Sequence, residues 1–171
     1  PGDHALRGCV GPPLRESFAR LVPGADATIV ETAIGHYRDR YRDLGWRENV
    51  VYDGVPELLA PLARDFAVYV CTSKPEVFAA RYPTHFGFDA HVRRVYGADL
   101  AGTYDDKRKL LGHLVDRERI DPARATMIGD RHHDVRAAHA HGLAAIGVLW
   151  GYGDEEELAH ADHLVKTPAE L

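Results

Sequence analysis

Two carboxylates near residue 130 have the types and spacing to bind a divalent cation. Asp130 follows an apolar stretch and Gly129, and Asp134 comes one helical turn later, so both would face one side of a helix start. Carboxylate oxygens are hard ligands of the kind that Mg²⁺ prefers. The same residues would also serve as an N-cap aspartate and a first-turn acid, so this segment alone leaves a structural role open.

A turn that carries two hydroxyls comes earlier in the chain. Thr72 and Ser73 follow a short apolar run and precede Pro75. Hydroxyls and backbone N–H groups ahead of a helix are good ligands for phosphate. The alternative is that Thr72 or Ser73 only caps the helix, with Pro75 in its first position.

Lys107 stands at the predicted start of a helix, in the run Gly-Thr-Tyr-Asp-Asp-Lys. The helix dipole disfavours a cation at this end. An ammonium group there is understandable if it faces an anion, although a solvated lysine is the better explanation of this position taken alone. Together the three segments offer a cation, hydroxyls and a metal-binding pair, which is the chemistry that a phosphate ester requires.

The elements that would bring these groups together follow from the apolar periodicity. Strands are predicted at 66–71, 91–96, 125–128, 143–150 and 163–165, and helices at 55–63, 75–85, 107–116, 134–141 and 154–160. Alternation of this kind predicts a mostly parallel α/β sheet, in which ligands bind at the carboxyl ends of the strands. Residues 1–50 have only helical patterns, at 14–22 and 29–44, with Asp26 as the N-cap of the second.

Composition excludes several classes of protein. The net charge of −5 provides no basic surface for nucleic acid, and no apolar run approaches the roughly 20 residues that span a membrane. Cys9 and Cys71 lie far apart, which argues against a disulfide framework and predicts a cytoplasmic location. The histidines between 132 and 141 lack the spacing of a zinc-binding helix. We therefore expect a small-molecule substrate, and a protein that is a monomer or a homodimer.

The order of these segments resembles the haloacid dehalogenase superfamily. Thr72 matches the phosphate-binding residue of that family's second motif, and Lys107 matches the lysine of its third. Asp130 and Asp134 match the acidic pair of its fourth. Closer similarity to the phosphoglycolate-phosphatase-like branch extends over nearly the whole chain and is carried by the segments 11–18, 52–58, 72–75 and 147–153.

The resemblance implies a fold and an activity. Residues 51–171 would form a Rossmann-like parallel sheet core of the haloacid dehalogenase type, and residues 1–50 would form part of a small helical cap. The activity would be magnesium-dependent hydrolysis of a small phosphate monoester, with phosphoglycolate as the leading substrate, through an aspartyl-phosphate intermediate.

Roles for individual residues follow from the same resemblance. Thr72 and Lys107 would be catalytic and would bind the substrate together with Ser73. Mg²⁺ would be held by the acidic pair, Asp130 and Asp134. Arg15 could reach the substrate from the cap, although a surface arginine is the simpler interpretation.

One family motif, Asp-x-Asp-Gly-Thr, does not occur in these 171 residues. It supplies the nucleophile and an aspartate general acid/base, and in the family it precedes the cap. Because Pro1 is not a translation start and the later motifs are in order, we expect an N-terminally incomplete core that is inactive by itself. The alternatives are a non-catalytic pseudophosphatase that binds a phosphorylated ligand or partner, and a phosphomutase or phosphonate hydrolase on the same core.

The strand order of the family leads to a further expectation about the sheet. The strand that bears the Asp-x-Asp-Gly-Thr motif lies in the family between the strand that ends at Thr72 and the strand that ends at Gly129. These two strands should therefore not be hydrogen-bonded to each other.

Overall fold

The structure, a computed structural model, describes Leu6 and residues 8–171. The chain divides into two compact units, residues 1–50 and residues 51–171. No helix in the described part of the chain combines the length and the apolar composition that crossing a bilayer requires. The roles of the two units as cap and core stay predictions.

The first unit contains a pair of helices that the sequence predicts. Helix α1 is Leu14–Leu21 and helix α2 is Ala27–Asp43. The predicted N-cap of α2 is confirmed, since the Asp26 side chain accepts a hydrogen bond from the Ile29 amide at 2.9 Å. Apolar residues of α2 are buried, and a short 3₁₀ turn at Gly45–Arg47 follows the helix.

The second unit alternates helices and strands, as the apolar periodicity predicts. In chain order its elements are α3 (Val55–Asp65), β1 (Tyr69–Pro75), α4 (Glu76–Ala79), α5 (Tyr82–Phe86), β2 (Arg94–Ala98), α6 (Lys107–Glu118), β3 (Thr126–Gly129), α7 (His132–Ala140), β4 (Ala144–Val148) and β5 (His163–Val165). Short 3₁₀ turns at Pro122–Arg124 and Pro168–Glu170 complete the list.

The strands form two parallel sheets. Strand β1 pairs with β2, and β4 pairs with β3 on one side and β5 on the other. Among the described residues β1 and β3 are not hydrogen-bonded to each other, so the pairing that would have contradicted the expected strand order is not present. The position of a further strand between them stays a prediction.

Helices α6 and α7 enclose the main apolar core of this unit against the sheet of β3 and β4. Its most buried members come from both helices, from the connection before β4, from β4 itself and from the segment that follows it; they are Leu111, Val115, Val135, Ala137, Ala138, Leu143, Ala145 and Leu158. The two helices whose first turns carry Lys107 and Asp134 are therefore held by packing in this core.

The predicted helix at 75–85 is confirmed only in part, because β1 continues to Pro75 and the helical residues form two short helices in place of one. Proline has no N–H to donate to the carbonyl four residues earlier. A helix that ran through Pro83 would lose that hydrogen bond, so α5 instead begins at Tyr82 with the proline in its first turn.

The predicted helix at 154–160 is wrong, since the chain there makes a series of turns. The Leu158 amide donates to the Asp154 carbonyl over a helical span, but the Ala159 and Ala161 amides each donate to the carbonyl three residues earlier. Leu158 is fully buried in the core. Tertiary packing thus decides the conformation of this segment against its helical periodicity.

Candidate active site

Lys107 connects strand β1 to the first turn of α7. Its Nζ donates a hydrogen bond to the Cys71 carbonyl at 2.7 Å and lies 3.0 Å from Asp134 Oδ1. Both side chains of the ion pair are only 11% exposed. The cation stands in the first turn of α6, where the helix dipole disfavours it, so these two oxygens stabilise it in that position.

Asp134 uses both carboxylate oxygens. Oδ1 pairs with Lys107, and Oδ2 accepts a hydrogen bond from the Arg131 amide at 3.2 Å. The glycine of the Gly-Asp-x-x-x-Asp motif is required beside it, because a Cβ on Gly129 would lie 2.3 Å from the Asp134 Cβ. The spacing of the motif thus reflects a close contact between the end of β3 and the first turn of α7.

Asp130 is enclosed by the segment that follows β4. Its Oδ2 accepts a hydrogen bond from the Tyr152 amide at 2.8 Å. A Cβ on Gly151 would lie 2.3 Å from the Asp130 Cβ, and a Cβ on Gly153 would lie 2.2 Å from the Asp130 carbonyl oxygen. Only glycines allow the backbone to approach so closely, and the Gly-Tyr-Gly run in the sequence is the signal of this contact.

The donor set fits Mg²⁺ better than a metal that needs several protein ligands. The described residues contain no group of three or more His, Cys, Asp or Glu side chains able to hold a metal ion. Mg²⁺ is commonly bound through one or two carboxylates, with water and substrate phosphate oxygens as its other ligands. Asp130 Oδ1 has no hydrogen-bond partner among the described residues, whereas both oxygens of Asp134 are engaged. Asp130 therefore has one oxygen available to a cation, and the predicted roles of Asp130 and Asp134 as metal ligands both stay predictions.

Thr72 follows directly on Cys71, whose carbonyl binds Lys107, so the hydroxyl turn begins beside the lysine. The Lys74 amide donates to Thr72 Oγ1 at 3.2 Å, which leaves the hydroxyl proton for another acceptor. The residue that caps α4 is Pro75, so the alternative in which Thr72 or Ser73 caps that helix is wrong. Binding of phosphate by Thr72 and Ser73 stays a prediction.

Cys71 is not suited to act as a nucleophile in this site. Burial raises the pKa of its thiol, and the Asp134 carboxylate raises it further against the opposing effect of Lys107. The thiol is therefore neutral at physiological pH, and the thiolate is the reactive form of cysteine.

Arg15 belongs to the first unit, where its Nε donates to Glu31 Oε1 at 2.6 Å. Both side chains are about half exposed, at 54% and 47%. An exposed pair of this kind contributes little to stability. The interpretation of Arg15 as a surface residue accounts for this contact, and its role in substrate binding stays a prediction.

Glu157 is a residue near the site that sequence reasoning missed. Its Oε1 lies 2.8 Å from Arg131 Nε and 2.7 Å from His132 Nδ1, and it accepts a hydrogen bond from the His132 amide at 3.1 Å. Burial alone would raise the pKa of this carboxyl, but the hydrogen bonds from Arg131 and His132 lower the pKa to about 2. The only sequence signal was an acidic run, which is typical of a solvated surface.

This lowered pKa predicts a pH dependence of stability. Because the folded-state pKa of about 2 is below the ordinary value of 4.5, Glu157 stabilises the fold fully above pH 4.5. That contribution is lost as the pH falls from 4.5 towards 2. In urea unfolding at a series of pH values, the difference in free energy of unfolding between the unmodified protein and Glu157→Gln should shrink over this range. Glu156→Gln is the matched control, and a difference for Glu157→Gln that did not change with pH would contradict the prediction.

Several curated proteins are similar to this chain. A "5'-nucleotidase" of Pseudomonas aeruginosa is 45% identical over 159 residues, which are 92% of this chain and 72% of that protein. The "Tyrosine-protein kinase PtkA" of Mycobacterium tuberculosis is 39% identical over 97% of this chain, which spans only 54% of that protein. A "Phosphoglycolate phosphatase" of Xanthomonas campestris is 30% identical over 97% of this chain and 77% of its own length.

A solved structure and a family model agree with these similarities. The structure of a "predicted phosphatase" from Clostridium acetobutylicum superposes with a TM-score of 0.91 and 35% identity, over 98% of this chain and 78% of that one. The mixed α/β fold with parallel sheets is the fold of that neighbour. The model of the haloacid dehalogenase-like hydrolases matches residues 1–148. The chain therefore belongs to the haloacid dehalogenase-like hydrolase family.

Proposed function

We propose that this protein is a magnesium-dependent phosphomonoester hydrolase that works through an aspartyl-phosphate intermediate. The observation that carries the proposal is the position of Lys107, whose ammonium group contacts the Cys71 carbonyl of β1 and the Asp134 carboxylate at once. Because Asp134 lies against Gly129, the last residue of β3, the cation is fixed near the carboxyl end of a parallel strand, where it is suited to neutralise charge on a transferring phosphoryl group.

The other residues of the site have complementary parts in this proposal. The hydroxyls of Thr72 and Ser73 bind oxygens of the phosphoryl group. Asp134 positions Lys107, and Asp130 holds Mg²⁺. The bound cation supplies positive charge to the phosphoryl oxygens.

The mechanism also needs a nucleophilic aspartate, and these residues contain no Asp-x-Asp-Gly-Thr segment. We infer that the full-length protein supplies it upstream of Pro1. Its carboxylate attacks phosphorus and the ester P–O bond breaks, while the second aspartate of the segment gives a proton to the leaving oxygen. The same aspartate then takes a proton from water, which attacks the aspartyl-phosphate and releases inorganic phosphate.

The substrate class that we propose is a small phosphate monoester. Phosphoglycolate is the leading candidate from the resemblance of the sequence, and a phosphoglycolate phosphatase is among the similar proteins. Nucleoside 5'-monophosphates are the second candidate, supported by the higher identity to a protein named as a 5'-nucleotidase. Both present a dianionic phosphate to the same groups and differ only in the leaving alcohol.

We also propose a cytoplasmic protein that is a monomer or a homodimer. Both cysteines are free thiols, which is compatible with a reducing compartment.

The proposal is tested by a phosphate-release assay on the full-length protein with phosphoglycolate, nucleoside 5'-monophosphates and p-nitrophenyl phosphate. We expect release that requires Mg²⁺, stops on addition of a chelator and resumes when Mg²⁺ is restored. Residues 1–171 alone should release no phosphate. Absence of release from every ester, together with transfer of labelled phosphate from ATP to tyrosine, would contradict the proposal in favour of a kinase.

A further inference from the structure

Glu157 lies outside the motifs of the site and makes three contacts with the loop segment 130–134, which comprises the connection after β3 and the first turn of α7. Its Oε1 meets Arg131 Nε, the His132 amide and His132 Nδ1 at distances between 2.7 and 3.1 Å. The side chains of Glu157 and Arg131 are largely buried, with exposures of 23% and 15%. Contacts of a single carboxylate oxygen with three groups of two adjacent residues restrict the path of that loop.

The backbone of Glu157 is itself firmly held. Its amide donates to Asp154 Oδ1 at 2.8 Å, and the next residue, Leu158, is fully buried in the apolar core. The Glu157 carboxylate therefore fixes the loop segment relative to the apolar core, which a carboxylate on a solvated segment would not do.

The loop that Glu157 holds is the one that sets the acidic pair. Arg131 directly follows Asp130, and its amide donates to Asp134 Oδ2 at 3.2 Å. A displacement of Arg131 would therefore move both carboxylates, of which Asp134 is also the partner of Lys107. Five residues before Glu157 in the chain, the Tyr152 amide donates a hydrogen bond to Asp130 Oδ2. The segment from Gly151 to Leu158 thus contacts the loop through both its backbone and a side chain.

We propose that Glu157 is a positioning residue, which holds the loop 130–134 in the geometry that binds Mg²⁺ and thereby supports phosphate-ester hydrolysis. The inference rests on the proposed function, since it assumes that Asp130 holds Mg²⁺. Glu157 does not contact the metal in this proposal. It acts through Arg131 and His132, as the outer partners of metal ligands generally do.

The test compares three variants of the full-length protein, Glu157→Ala, Glu157→Gln and Glu156→Gln, by isothermal titration calorimetry with Mg²⁺ alone. Loss of an outer partner weakens metal affinity by about 10- to 100-fold. We expect a loss of that size for Glu157→Ala. Glu157→Gln should lose less, because its amide oxygen can still accept from the His132 amide and from Arg131. Glu156→Gln removes the same charge from the exposed neighbouring residue and should bind Mg²⁺ as the unmodified protein does.

A phosphate-release assay at increasing Mg²⁺ gives a second measurement. Saturating Mg²⁺ should largely restore the turnover of Glu157→Gln, which a general loss of folded protein would not allow. If Glu157→Ala does not fold, the comparison of Glu157→Gln with Glu156→Gln decides the question alone. Equal Mg²⁺ affinity in those two variants would overturn the inference. Failure of the unmodified protein to bind Mg²⁺ would instead overturn the metal part of the proposed function, and this inference with it.

Discussion

Replacement of Asp130 by asparagine in the full-length protein is expected to lower the rate of phosphate release by at least about 100-fold. The substitution keeps the size of the side chain, and its amide oxygen can still accept the hydrogen bond from the Tyr152 amide. It removes the negative charge that Mg²⁺ needs from this ligand. The folded structure should therefore survive while metal binding is lost, and calorimetry with Mg²⁺ should detect little or no binding.

The matched control for this substitution is Asp116→Asn, which removes the same charge from an exposed position of α6. That variant should bind Mg²⁺ and hydrolyse phosphate esters at the rate of the unmodified protein. Full turnover by Asp130→Asn in protein that had been treated with a chelator would show that Asp130 is not a metal ligand. An equal loss in both variants would point to the net charge of the protein and away from the site.

Replacement of Lys107 by alanine should have two separate effects. It removes the cation that the proposed mechanism places beside the phosphoryl group, so turnover should fall by about 100-fold or more. It also leaves the buried Asp134 carboxylate without its ion-pair partner, and this should lower the free energy of unfolding by about 3 kcal/mol. Lys109→Ala, at an exposed position of the same helix, should change neither quantity appreciably.

A double-mutant cycle separates the ion pair from other effects of the substitution. Lys107→Ala and Asp134→Ala, each alone, leave one charge buried and unpaired, while the double variant leaves neither. The double variant should therefore be less destabilised than the sum of the two single ones in urea unfolding. Strict additivity would mean that the 3.0 Å contact does not stabilise the fold. Turnover should not return in the double variant, because the cation is still missing.

The sequence was sufficient to predict a helix, a strand or a cap where a local pattern is compatible with only one structure. The N-cap at Asp26 and the helix that begins at Lys107 follow from capping chemistry and from 3.6-residue periodicity, which act within a few residues. The strand and helix around Gly129 follow for the same reason, because a glycine and two spaced acids between a strand and a helix specify a tight connection. Such patterns also predicted the α/β alternation of residues 51–171.

Other features depend on contacts between residues that are distant in the chain. The ion pair of Lys107 and Asp134 joins two helix starts, and nothing in either local sequence indicates the partner. The turns at 154–160 replace a predicted helix although Glu, Leu and Ala favour helices, because burial of Leu158 and the contacts of Glu157 outweigh that preference. Helical propensity amounts to tenths of a kcal/mol per residue, whereas burial of one leucine contributes about 2 kcal/mol.

The sequence by itself thus determined which residues could form a phosphate site and in which order they come. Only the tertiary structure decided which contacts each of these residues makes. It pairs Asp134 with Lys107 and leaves one oxygen of Asp130 without a hydrogen bond among the described residues. The physical reason is that a carboxylate's role depends on which groups surround it, and those groups come from β1, α6 and the segment after β4. Close approach of that segment to Asp130 is possible because Gly151 and Gly153 have no Cβ, and packing of Leu158 in the core holds it there.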